Sequence, residues 1–245
     1  MDIETPNALK SKRSRMISTV LSPALRLWLR SQVEQVDALQ FKITGGDRQI
    51  LTGYIPSISI AASHAIYQGL HLSQIQLEGS NIRVNLGQVI KGKPLHLLEP
   101  VPVVGQLLLL ESDLQASLQS PLLSTALTEL LDTLLQSDQV INPDKDLKDK
   151  KISWQQIVID TNQLTLVGTL TEVNLQTTPI VLRASLQLAT KSVLQLNSLQ
   201  IQLKPESEPI NLDNFQVDLG SEVELQELTL TPGQLRCNGR LTVMP

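Results

Sequence analysis

Residues 107–136 read LLLLESDLQASLQSPLLSTALTELLDTLLQ, and they form the longest run in the chain with helical periodicity. Leu114, Leu118, Leu122 and Leu123, then Leu127, Leu130, Leu131, Leu134 and Leu135, recur at spacings of three and four. That spacing gathers them on one stripe of a helix. Ser112 or Asp113 can cap the start, offering an acceptor to backbone N–H groups that lack an intrahelical partner. Ser120-Pro121 suits an N-cap followed by the first helical position, so two central helices are expected within 111–136. A leucine stripe this wide has to be covered, either by a sheet or by an apolar ligand.

Outward from these helices the period changes from three or four to two. On the N-terminal side, residues 95–110 are an apolar extended passage punctuated by Pro100 and Pro102. Before it, Ile75 and Leu77 alternate with glutamine and glutamate, Gly79-Ser80-Asn81 reads as a turn, and Ile82, Val84 and Leu86 alternate again. This predicts a hairpin. Ile58, Ile60 and Ala62 alternate with Ser57, Ser59 and Ala61, and Gly45-Gly46-Asp47 follows Phe41 and Ile43 as a turn. On the C-terminal side, NPDKDLKDKK at 142–151 is a charged connector and the best internal boundary. Beyond it pairs such as Ile157/Ile159, Leu164/Leu166, Leu199/Ile201, Leu235/Cys237 and Leu241/Val243 each skip one polar residue to the end of the chain. One apolar and one wet face is the signature of antiparallel sheets covered on a single side. The class is therefore α+β, mostly β: a tail over 1–15 that is polar, basic and expected to be disordered, then a single β-rich domain over 16–245.

Residues 16–39 predict an amphipathic helix, with Ile17, Val20, Leu21, Ala24, Leu25, Trp28 and Leu29 on one face and Val33, Val36 and Leu39 continuing it. Arg26 and Arg30 are i,i+4 neighbours beside Trp28. A basic amphipathic helix with tryptophan fits an interfacial anchor on an anionic membrane, with Arg13 and Arg15 adding charge. The other reading is a helix docked on the sheet with two solvated arginines. The arginines also keep this segment from being a spanning helix, and no secretory apolar region precedes it, so a cytoplasmic, peripherally associated protein is expected.

Composition narrows the function. The chain of 245 residues can bury a sizeable core, 41% of it is hydrophobic, and only two Phe, two Tyr and two Trp occur. Such an aliphatic interior is compatible with an acyl-chain groove as well as with a plain core. The net charge of −4 excludes wholesale nucleic-acid binding, although residues 1–50 carry eight Lys and Arg against five acids. Cys237 is the sole cysteine, so no intrachain disulfide forms, and its strand context makes it a small apolar residue. His64, His71 and His96 stand in no metal-ligand spacing. There is no GxSxG elbow, P-loop or GxGxxG fingerprint. Glu111 and Asp113 sit where negative charge favours a helix N-terminus. Asp144, Asp146 and Asp149 lack the glycine and terminal glutamate of a calcium loop. No catalytic residue, metal or cofactor is assigned, and a surface or cavity is expected rather than a reaction centre.

Several stretches then take on a shared look. They are RQILTG at 48–53 leading into ISIA at 58–61, YQGL at 67–70, ESDLQASLQSPLL at 111–123 and GQLRCNGRLTV at 233–243. Together they resemble the LmeA-like phospholipid-binding proteins, with the acidic–Leu–…–Ser-Pro-Leu-Leu pattern the most specific piece. The resemblance runs from about Leu21 to the C-terminus. It implies a long curved antiparallel sheet wrapped around helices, similar to half of a tubular lipid-binding module, and binding of phospholipid acyl chains. Its characterised members are exported. On that footing the groove wall is expected from Val101, Val103, Val104, Leu107, Leu109, Leu114, Leu118, Leu122 and Leu123. Arg13, Arg15, Arg26, Trp28 and Arg30 would meet an anionic membrane surface. The alternative is a structural protein with a self-filled core that pairs as a homodimer through a sheet edge or the N-terminal helix.

Overall fold

Alternation of apolar and polar residues becomes antiparallel pairing in two separate sheets. The computed structural model describes residues 21–137, 150–172, 176–203 and 208–245. In order, the elements are α1 (Ser22–Ser31), β1 (Gln35–Thr44), α2 (Asp47–Leu51), β2 (Tyr54–Tyr67), β3 (Leu70–Arg83), α3 (Leu86–Val89), β4 (Val101–Leu110), α4 (Glu111–Ser117) and α5 (Pro121–Ser137). Then follow β5 (Lys151–Asp160), β6 (Gln163–Thr171), β7 (Thr177–Thr190), β8 (Val193–Gln202), β9 (Ile210–Leu212), β10 (Phe215–Asp218), β11 (Val223–Thr231) and β12 (Gln234–Val243). The first sheet has the order β1-β2-β3-β4-β12-β11, the second β10-β8-β7-β6-β5 with β9 beside β8. The class is α+β, mostly β, and neither sheet closes into a barrel.

The last two strands return to the first sheet, β12 pairing with β4 from Gln234↔Leu110 to Val243↔Val101. The 142–151 connector therefore does not separate the sheets into sequential halves. All of that connector up to 149 lies outside the described residues.

Each sheet has its own core. α4 and α5 lay their leucine stripe on the second sheet, where Leu118, Leu131, Leu134 and Leu135 meet Trp154, Ile157, Leu166, Leu182, Leu199 and Ile201. Ser120 does cap α5: its Oγ accepts the Leu123 N–H at 3.1 Å, and its carbonyl accepts that of Ser124. The cap expected at Ser112 or Asp113 is absent, because α4 begins at Glu111 after extended Leu110. Asp113 instead accepts the hydroxyl of buried Ser73, whose Oγ in turn takes the Leu110 N–H. The second core, on the first sheet, joins Leu21 and Leu25 of the α1 segment to Ile50, Ile55, Ile58, Ile82, Leu86, Val89, Leu95, Val101 and Val103.

Two expectations fail near the N-terminus of the described chain. Of the helix expected over 16–39, Ser22–Ser31 is helical and residues 16–20 lie outside the described residues, while Gln35–Thr44 is a strand registered on β2 from Gln35↔Ile66 to Thr44↔Ser57. Val36 and Leu39, three apart, fit a helix, but Leu39, Phe41 and Ile43 also alternate, and ten residues of sheet pairing outweigh a marginal extra helical turn. The turn expected at Gly79-Ser80-Asn81 is interior to β3. Asn81 takes up a positive φ of 56° there, and its Oδ1 accepts the Tyr54 hydroxyl at 2.7 Å. The hairpin actually turns at Gln68 and Gly69, both of positive φ, as two-residue turns of this hand require.

Gly53 fixes how β2 leaves α2. Its φ is 82°, its carbonyl accepts the Val84 N–H, and a Cβ built on it would collide with the Val84 carbonyl oxygen. Gly53→Ala is therefore expected to lower stability by about 1–2 kcal/mol or more, seen as a shifted urea midpoint at unchanged slope.

Candidate functional site

The two cores leave a strip of apolar surface between them. Reading across the first sheet, Leu39 pairs with Ala62, Ala62 with Ile75, Ile75 with Leu107, Leu107 with Cys237 and Cys237 with Leu228. This row crosses all six strands. Each of its side chains is half-buried, and none belongs to either core. Five interstrand gaps make the row roughly 24 Å long. One leaflet's share of a bilayer's hydrocarbon is only about 15 Å thick, so the row is long enough for an extended acyl chain.

The next row towards the α1 core is Phe41–Ile60–Leu77–Gly105–Gly239–Leu225. Two adjacent glycines leave the sheet without side chains between Leu77 and Leu225. Leu77 leans over the gap, its Cδ2 only 3.0 Å from where a Cβ on Gly105 would stand. At the other side the strip ends against α4, where the Ser117 hydroxyl accepts the His71 N–H at 2.8 Å. The register shift between Leu225 and Glu227 marks a bulge on the edge strand, a device that bends a sheet.

The opposite face of the same sheet is wet. Gln40, Ala61, Gln76 and Gln106 form the row behind the strip and are exposed. A shallow groove of about 430 Å³ on that side includes Lys42, Glu78 and Val104 in its lining. A larger open groove of about 860 Å³ lies where the β2–β3 turn meets the start of α5, with Glu34, His71, Leu122, Ala126 and Glu129 in its wall.

The nine side chains expected as one groove wall are divided among five places. Val101 and Val103 are buried in the core around α1. Leu114, Leu118 and Leu123 serve the other core, on the second sheet, so protein rather than ligand covers the helical stripe. Leu122 is 43% exposed and lines the large groove. Val104 is 48% exposed on the wet face, because it alternates with Val103. Only Leu107 and Leu109 lie on the half-buried apolar surface of the first sheet outside both cores. Leu39, Ala62, Ile75, Cys237 and Leu228 complete the row and escaped sequence reasoning. Each sits in a visible alternation, but the register that aligns them across six strands leaves no local signal.

Of the residues expected to meet a membrane surface, Arg13 and Arg15 lie outside the described residues. Leu21, Ala24, Leu25, Trp28 and Leu29 dock α1 on the first sheet's core. Arg26 is exposed with its guanidinium 5.7 Å from the Phe41 ring centre, and Arg30 is also exposed. The docked reading of α1 is thus the one observed, with Trp28 turned inward.

Chemistry-bearing groups are spread out. His64 Nδ1 lies 3.4 Å from Asp37, with both side chains largely exposed. Glu111 and Gln115, one turn apart on α4, cap the free edge of β5: Glu111 Oε2 accepts the Ile159 N–H at 2.7 Å, and Gln115 Oε1 accepts that of Ile157 at 3.0 Å. This gives the Glu111 carboxylate a structural task. Burial pushes the Cys237 thiol up from its ordinary pKa, as an apolar setting does to any group that is charged when deprotonated. Among the described residues no group of three or more His, Cys, Asp or Glu could hold a metal ion, and no helix is long and apolar enough to cross a membrane.

The family model for LmeA-like phospholipid-binding proteins matches residues 13–240. No curated protein and no solved structure matches the chain.

Proposed function

The chain belongs to the LmeA-like phospholipid-binding family, and from that premise we propose that it binds a phospholipid by its acyl chain along the Leu39–Leu228 row, without catalysis, at a membrane surface. The observation that carries this reading is the row itself: six half-buried apolar side chains in line, excluded from both cores. Burying a methylene contributes about 0.8 kcal/mol. Ten methylenes laid on the row would supply ~8 kcal/mol before the costs of association, without any charged contact. Leu109 would extend the contact towards α4. Arg26 and Arg30 would add electrostatic attraction for anionic headgroups, weakening with salt.

The competing occupant is a second copy of the chain, since β1 is an edge strand of ten residues with β2 as its neighbour on one side. Native mass spectrometry on protein purified without detergent separates the two. A monomer carrying a phospholipid-sized adduct is expected. A lipid-free dimer would count against lipid in the row and support self-association.

A further inference from the structure

We propose that the end of the first sheet formed by the β3–β4 connection and α1 is the surface that contacts an anionic bilayer. Ile90, Leu98 and Leu27 would enter the headgroup boundary, and Lys91 and Lys93 would meet the phosphates. These two elements carry three large apolar side chains that face solvent: Leu27 is 73%, Ile90 54% and Leu98 57% exposed. They are not parts of a loose loop. Leu86 and Val89 of α3 are buried in the same core that holds Leu21 and Leu25 beside α1. Buried Asn85 ties the connection down, its Nδ2 donating to the Pro94 carbonyl at 2.9 Å and its Oδ1 accepting the His96 N–H at 2.8 Å. The Gly92 and Lys93 N–H groups bond back to Val89 and Gln88. A rigid tip that presents an isoleucine followed by two lysines incurs little ordering cost on binding.

Charge selects the occupant. Residues 21–100 contain seven Lys and Arg against five Asp and Glu, whereas residues 101–245 contain nine against seventeen. Lys91 and Lys93 are exposed, and neither forms an ion pair with a described residue. An apolar tip with two unpaired lysines beside Ile90, on a chain of net negative charge, is complementary to a negatively charged lipid surface. This inference rests on the phospholipid-binding reading above, because the bilayer is the source from which the row would be filled. The core behind the tip also borders that row along one side, through Phe41, Ile60 and Leu77.

The test uses the full chain with phosphatidylcholine vesicles, with and without phosphatidylglycerol, in a flotation assay at low and high salt. In parallel, uptake of a fluorescent acyl-chain phospholipid is followed without vesicles. Wild type should float with the anionic vesicles at low salt. Ile90→Asp and the pair Lys91→Glu/Lys93→Glu should each lower that binding tenfold or more while taking up the probe normally, and their melting temperatures should match wild type. Equal flotation of wild type and both variants would overturn the inference and leave the row untouched. Failure of wild type to take up the probe, with flotation still sensitive to the variants, would sink the row and leave the contact surface standing. Wild type that does not float but forms a dimer dispersed by Ile90→Asp would assign the tip to a second copy instead.

Discussion

Leu107→Asp is expected to weaken phospholipid binding tenfold or more, while Val104→Asp on the same strand leaves it unchanged. The two residues share β4 but face opposite ways: Leu107 stands between Ile75 and Cys237 in the apolar row, and Val104 is 48% exposed on the wet face. A carboxylate in the row would have to give up water to an acyl chain that offers no hydrogen bond in return, and it would be neutralised or expel the chain. The loss of tenfold or more corresponds to about 1.4 kcal/mol or more. Because Leu107 is half-buried and belongs to neither core, the substitution should cost far less stability than one in a packed interior. Titration of both variants with a fluorescent phospholipid, beside their thermal melts, decides the matter. Equal loss in the two would mean that added negative charge, not the row, governs binding.

Leu131→Ala is expected to be the most damaging single truncation, at about 2–5 kcal/mol. Leu131 and Leu134 have no solvent exposure and sit under the second sheet against a core that includes Trp154 and Leu199. Trp154 is 1% exposed, and its indole N–H donates to Thr128 of the same helix at 3.3 Å, so α5 and β5 are locked by packing and by a hydrogen bond. A cavity left by Leu131 has rigid walls on both sides and little means of collapsing. Since this core is separate from the row, a Leu131→Ala protein held well below its melting point should still bind lipid near the wild-type level. Urea unfolding and lipid titration on the same sample check both halves of that statement.

The central helices were legible because Ser120-Pro121 carries its own mechanism and because leucines three and four apart have one natural interpretation. The strands were legible from alternation alone. Which sheet each strand joins was not, since β12 must find β4 across more than a hundred residues and no local pattern encodes that pairing. The same gap hides that expected wall residues are split between the two cores. Val101, Val103, Leu114, Leu118 and Leu123 are as apolar as Leu107, and only tertiary pairing decides that protein covers the first five. Residues 33–39 misled for a different reason: a spacing of three satisfies a helix, and the competing strand becomes visible only when Phe41 and Ile43 are read with Leu39. Asn81 is a third case: Gly79-Ser80-Asn81 reads as a turn between two strands, but β3 runs through it with Asn81 left-handed.

Cys237 allows the row to be interrogated without altering the protein. It is the sole cysteine, it stands between Leu107 and Leu228, and its thiol is held above its ordinary pKa by burial, so alkylation should be slow at neutral pH and quicken as the pH rises. The measurement is the rate of alkylation with and without saturating phospholipid at one fixed, mildly alkaline pH. Acyl-chain binding along the row predicts at least a tenfold slowing. Phospholipid that binds, as judged by native mass, yet leaves the alkylation rate unchanged would contradict the assignment of the site to this face of the first sheet.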